Sequence, residues 1–105
     1  MTRSKDEILG EALHHFEVML DYASHDLDDQ LVIDAVCMRL SAALEVLNRL
    51  DPGVRDELFG DDWAAMWGMR NRIAHGYLLV NPPIVRQTLK IDIPSLVSRI
   101  ERELS

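Results

Sequence analysis

Arg70, Asn71, Arg72, His75 and Tyr77 stand within eight residues of one another, in the stretch MRNRIAHGYLLV from Met69 to Val80. An arginine offers a planar, permanently charged fork that grips a phosphate through two N–H groups at once. A histidine gives or takes a proton near neutral pH. Together they are the minimum set for cutting RNA without a metal. One group removes the 2′-hydroxyl proton, another steadies the crowded phosphorane, and a third protonates the leaving oxygen. One chain supplies only one such histidine here, and a two-fold dimer would supply both. The spacing by itself is not specific. Five residues along a helix are about 140° of rotation and about 7.5 Å of rise, so Arg70 and His75 share a face only if the helix ends near His75 and the ring turns back. The ordinary alternatives are plain. Arg70 could pair with an acid of the first helix, and His75 could be a helix C-terminal cation favoured by the dipole. Asn71 could orient backbone, Arg72 could be a solvated charge, and Tyr77 could be a bundle-edge tyrosine.

The elements that must position this cluster read as helical almost throughout. Ser4 and Glu7 form a capping box, and Ile8, Leu9, Ala12, Leu13, Phe16, Met19, Leu20 and Ala23 follow at helical period. Asp28 and Asp29 open a second helix that runs to about Leu50, where Asp51-Pro52-Gly53 stops it. That helix is apolar on two faces. Leu31, Ala35, Ala42, Val46 and Leu50 make one, and Val32, Val36, Cys37, Leu40, Leu44 and Leu47 make the other. A bundle-surface helix needs only one such face, so this is either the central helix of the bundle or a helix covered by a partner chain. A short turn fits Val54 to Phe59. Asp61 or Asp62 then caps a third helix with Trp63, Met66, Trp67 and Met69, ending near Gly76. Trp63 and Trp67 are most simply core. Pro83 can start a short helix through Lys90, and Asp92 with Pro94 a last one carrying Leu96, Val97, Ile100 and Leu104. The expected fold class is all-α: a single domain over residues 1–105, an up-and-down bundle of four main helices plus short helical turns.

The chain has 105 residues, 48% hydrophobic and 28% charged, with a net charge of −7. Residues 1–69 carry 5 Lys/Arg against 15 Asp/Glu, whereas residues 70–105 carry 6 against 3. From Arg70 to Ile91 there are four basic residues and no acid. A positive patch on an acidic body suits a confined phosphate site better than long duplex tracking. The single cysteine, Cys37, excludes an internal disulfide and a Cys-cluster zinc site, and its apolar setting predicts an inert thiol. His14 and His15 are adjacent and point about 100° apart on a helix, which does not make a metal pair. The charged N-terminus lacks a signal-peptide core, and no stretch is long enough to span a bilayer. We expect a cytoplasmic protein with no metal, no cofactor and no membrane contact.

The motif with its flanks resembles the small HepT-like branch of the HEPN superfamily, which reads R-x4-H-x-Y, commonly G-M-R-N-x-x-x-H-x-Y behind a Trp. Gly68, Met69, Arg70, Asn71, His75 and Tyr77 match it, with Trp63 seven residues before Arg70. Ile84-Val85, Asp92-Ile93-Pro94 and Leu96 also follow the pattern, so the resemblance is close from Trp63 to about Leu96. The first two helices match only in amphipathicity and length. Asp62 replaces a frequent Pro, Leu78 a frequent aromatic after the Tyr, and Arg86 a frequent aromatic after Ile-Val; Arg86 could add to the positive patch or change a packing contact. The resemblance implies an HEPN-like helical homodimer. It implies the toxin of a toxin–antitoxin pair whose antitoxin is a minimal nucleotidyltransferase. It also implies a metal-independent endoribonuclease that brings Arg70 and His75 together across the dimer on an RNA substrate, Asn71 and Arg72 supporting. In some pairs the antitoxin silences the toxin by AMP transfer onto the motif Tyr, here Tyr77. Otherwise, occlusion by the antitoxin would leave Tyr77 a packing or substrate-contact residue. Other helical domains of this superfamily imply a different role: a non-catalytic binding subunit of a two-chain nucleotidyltransferase, or an interaction module.

Overall fold

The computed structural model describes residues 4–75 and 82–105. In chain order its elements are α1 (Lys5–Ala23), α2 (Gln30–Leu47), α3 (Pro52–Phe59), α4 (Asp62–His75), α5 (Pro82–Gln87), a π turn over Thr88–Asp92, and α6 (Ile93–Leu104). Helices α1, α2, α4 and α6 are the long ones, and the described residues contain no strand. The fold is therefore an all-α, up-and-down bundle, as the periodicity predicts.

Local chemistry sets the helix starts. Ser4 Oγ accepts the Glu7 N–H at 3.1 Å, Asp29 Oδ1 the Leu31 N–H at 2.9 Å, and Asp51 Oδ1 the Gly53 N–H at 2.9 Å. Each satisfies a backbone donor that the first helical turn leaves open, a contribution of about 1 kcal/mol. Pro52 sits in the first turn of α3, where its missing N–H costs nothing. Gly60, at φ 55°, ends α3 in a left-handed conformation that favours glycine and turns the chain into α4.

Two boundaries differ from expectation. Helix α2 stops at Leu47, and residues 48–50 finish as tight turns, Arg49 N–H to Val46 O and Leu50 N–H to Leu47 O. Pro52 pushes Asp51 into an extended conformation, so the chain must leave the helix earlier. At the other end, Asp92 does not cap a new helix. It has helical angles and no side-chain capping bond, and the backbone runs unbroken from Pro82 to Leu104. The π turn explains how Pro94 is tolerated. In a regular helix its ring would crowd the carbonyl of Lys90. The wider turn, in which the Ile93 N–H reaches Thr88 O, relieves that ladder one residue earlier.

The core is built from one face of each long helix. Helix α1 contributes Ile8, Leu9, Ala12, Phe16 and Met19; α2 contributes Ile33, Val36, Cys37, Leu40, Ala43, Leu44 and Leu47. Trp63, Met66 and Met69 come from α4, and Ile93, Leu96 and Ile100 from α6. Phe16, Leu9, Met19 and Leu40 have no exposed surface, each adding about 1.5–3 kcal/mol of transfer free energy. Helix α2 packs against α1 and α4, and α1 packs against α2 and α6, so these two helices share the centre of the bundle. The second apolar face of α2 divides: Val46 and Leu50 join the core, while Leu31 and Met38 remain 75% and 64% exposed. Among the described residues, no helix is long and apolar enough to cross a membrane.

Candidate active site

Helix α4 sorts its residues by face. Trp63, Met66 and Met69 point into the core, Arg70 and Ile73 are half-buried, and Asn71, Arg72 and His75 face solvent. The polar cluster is thus the outer side of the last turns of a core helix, which is why polar and apolar residues alternate so closely there.

Arg70 is the most constrained member. Its Nε donates to Glu45 Oε1 of α2 at 3.1 Å, and its Nη2 donates to the same oxygen. Its Nη1 donates to Asn71 Oδ1 at 3.2 Å. The guanidinium lies over the Trp67 ring, 4.9 Å from its centroid, within range of a cation–π contact. Trp67 is itself the outer member of a stack. Its ring centroid is 5.7 Å from that of Trp63, which is 5.9 Å from that of Phe59. Arg70 therefore rests on a platform continuous with the core and is held edge-on by a carboxylate from another helix. It does pair with an acid, but with one on the second helix rather than the first.

His75 is exposed and is the last described residue of α4. The hydrogen bonds of Arg70 go to Glu45 and Asn71. Arg72 lines a shallow groove of about 390 Å³ with Gly68, Gln87, Thr88 and Asp92, away from the Glu45 contact. Asn71 supports Arg70 directly. Tyr77 lies outside the described residues. Two residues escaped the sequence reading. Trp67 was legible in principle, since Trp67 and Arg70 are three apart on one helix face. Glu45 carried no local signal, because its contact spans 25 residues.

Two of the four bases counted from Arg70 to Ile91 are paired with acids in the fold. Glu45 pairs with Arg70, and Asp28, before α2, pairs with Arg86. Arg86 serves the α1–α2 connection and does not join the Arg70 cluster. The sequence count missed this because the acids come from distant positions. Elsewhere, Arg39 Nη1 meets His15 Nδ1 at 3.0 Å. A guanidinium only donates, so Nδ1 accepts and the ring is neutral; burial, and then the Arg39 charge, lower the His15 pKa. Among the described residues, no group of three or more His, Cys, Asp or Glu side chains could hold a metal ion.

The geometry defines a class: an all-helical bundle with an arginine fork and a histidine on the outer end of one core helix. The chain belongs to the HepT-like ribonuclease family, matching the family described as "Ribonuclease HepT-like" over residues 9–103. That match extends across α1 and α2, beyond the segment where the motif resemblance is close. No solved structure matches the chain.

Proposed function

We propose that this chain is a toxin-type endoribonuclease that cleaves RNA without a metal and works as a homodimer. The observation that carries this reading is the Arg70 fork. It is anchored on the Trp67 platform with a minor part of its side chain exposed, five residues before a solvent-facing His75, in a HepT-like ribonuclease chain. Arg70 holds the scissile phosphate and the charge that builds on it, while the histidines of two copies share proton removal and delivery. Asn71 and Arg72 support the phosphate contact. The uncovered side of α2 supports dimerisation: Leu31 and Met38 are exposed, and Met38, Ala42, Glu45 and Ile73 line one groove of about 390 Å³. A second copy seated there should bury about 1,600 Å² or more in total.

The regulator in this reading is a minimal nucleotidyltransferase antitoxin. It transfers AMP from ATP: the Tyr77 oxygen bonds to the α-phosphorus, the bond to the β-phosphate breaks to release pyrophosphate, and the phenol proton passes to a base of the partner. A phenol with a pKa near 10 is a poor nucleophile unaided, so the partner's bound metal or base must activate it. The added phosphate would sit close in sequence to Arg70, Arg72 and His75 and compete with RNA. A second reading is a non-catalytic binding subunit of a two-chain nucleotidyltransferase. It is favoured by the acidic balance of −7 and by the Glu45 carboxylate that neutralises Arg70.

Cleavage of a defined RNA by the purified chain separates the two. His75→Ala should lose at least about 100-fold. Arg70→Lys should be severely impaired, since a point ammonium cannot reproduce the fork, and EDTA should have no effect. Wild-type activity in either variant, or abolition by EDTA, would overturn the mechanism. An inactive, non-toxic wild type would leave the binding-subunit reading.

A further inference from the structure

We infer that Glu45 is a positioning residue: it fixes the plane of the Arg70 guanidinium so that a phosphate can be taken by the N–H groups left over. This rests on the ribonuclease reading above. A guanidinium carries five N–H donors in a rigid fork. Three are in use, Nε and Nη2 on Glu45 Oε1 and Nη1 on Asn71 Oδ1, which leaves one on Nη1 and one on Nη2. Nε and Nη2 form the side edge of the fork, so Glu45 holds that edge. The second Nη2 hydrogen projects from the distal edge, away from Glu45. The central carbon of the guanidinium lies over the Trp67 ring, 4.9 Å from the centroid, so the indole blocks one direction of movement. With one edge held and one direction blocked, the guanidinium has little rotational freedom, and its side chain is only 21% exposed. A long flexible side chain that must meet a developing charge gains most when its orientation is set beforehand. Glu45 is 48% exposed, so its carboxylate stays partly solvated.

A carboxylate beside a phosphate-binding arginine has an opposite possible effect, that of an obstacle to an incoming anion. Glu45 sits on the side edge, which can itself take a phosphate through two N–H groups, and it leaves the distal Nη2 hydrogen open. Kinetics separate the two roles, because their predictions are opposite. Removing a positioning group lowers kcat, while the loss of a negative charge leaves KM for RNA unchanged or lower. Removing an obstacle lowers KM and leaves kcat intact or raised.

The test compares wild type with Glu45→Gln, which keeps size, and Glu45→Asp, which keeps charge one methylene shorter. Cleavage of a fluorescent RNA oligonucleotide gives kcat and KM. Arg70 Nε–H exchange, followed by ¹⁵N NMR, reads the clamp itself. We expect Glu45→Gln to lose protection of the Arg70 Nε–H and to lower kcat about 10-fold at equal or lower KM. Glu45→Asp should fall between. Melting is measured beside kcat: a variant that melts close to wild type and still loses kcat supports positioning, and a loss of kcat seen only with a matching loss of melting temperature overturns it. An active wild type with an unchanged or faster Glu45→Gln overturns this inference alone. A wild type that cleaves no RNA overturns it together with the ribonuclease reading.

Discussion

The two ends of α4 use the same contacts to opposite ends. At its start, Arg55 lies over Trp63 at 5.1 Å, and Arg99 of α6 holds Asp62 at 2.7 Å and the Phe59 carbonyl at 3.3 Å. At its finish, Arg70 lies over Trp67 at 4.9 Å and holds Glu45. Each end is an arginine on an indole and an arginine on a carboxylate. The difference is in what surrounds them. Trp63 is buried, and its neighbours bring α3, α4 and α6 together, so those arginines serve cohesion. Trp67 is half-buried, and beyond Arg70 the helix runs into the exposed Asn71, Arg72 and His75. The same pairing on an open edge leaves donor capacity unused, and unused donors are what a substrate can take.

Trp63→Ala and Trp67→Ala sharpen this contrast most strongly. Trp63→Ala should cost about 3–5 kcal/mol in urea unfolding, the range for removing a large buried aromatic. Trp67→Ala should cost clearly less, yet lower RNA cleavage about 10-fold by removing the platform under Arg70. Equal stability losses, or normal cleavage by a folded Trp67→Ala, would break the division between the two ends. A smaller effect is expected from Arg99→Ala. The Asp62 carboxylate is 66% exposed, so the pair contributes at most about 1 kcal/mol. Cleavage should be unchanged; a catalytic defect there would mean that the structural end reaches the site.

The smallest effect concerns the α1–α2 packing that carries Glu45. Burial first, and Arg39 second, lower the His15 pKa below 6.5. The unfolded chain then binds more protons than the folded one around and just below pH 6.5, so stability rises with pH through that window and falls on acidification. The urea midpoint of wild type should drop more between pH 7.5 and 5.5 than that of His15→Gln. Parallel curves would show that Arg39 and His15 do not set this dependence.

Much of the bundle was legible because its signals are local. The α1 stripe and the Ser4 and Asp29 signals all act within a turn or two of themselves, whereas Asp51-Pro52-Gly53, read as the stop of one helix, also caps and starts α3 two residues ahead of the expected Val54. The π turn was not legible. Asp92 followed two residues later by Pro94 has the composition of a helix start, and only the backbone shows the chain passing through it. The site was half legible. Arg70, Asn71 and His75 announce themselves by residue type and spacing. That Arg70 is anchored by Glu45 follows from how α2 and α4 pack. The charge count failed for the same reason: the sequence lists Arg86 among bases, while the fold gives it to Asp28.

Cys37 gives the molecule a clock. It is the only thiol in the chain and is fully buried on α2, and burial raises its pKa to about 11. The thiolate is the form that attacks an alkylating reagent, so the folded chain resists labelling twice, by access and by ionisation. Each covalent label at Cys37 therefore records a moment when the helices around α2 had separated. The labelling rate under native conditions reads the frequency of that opening at a single atom, with no probe added to the protein. Trp63→Ala should make the clock run faster, and Arg99→Ala should barely change it.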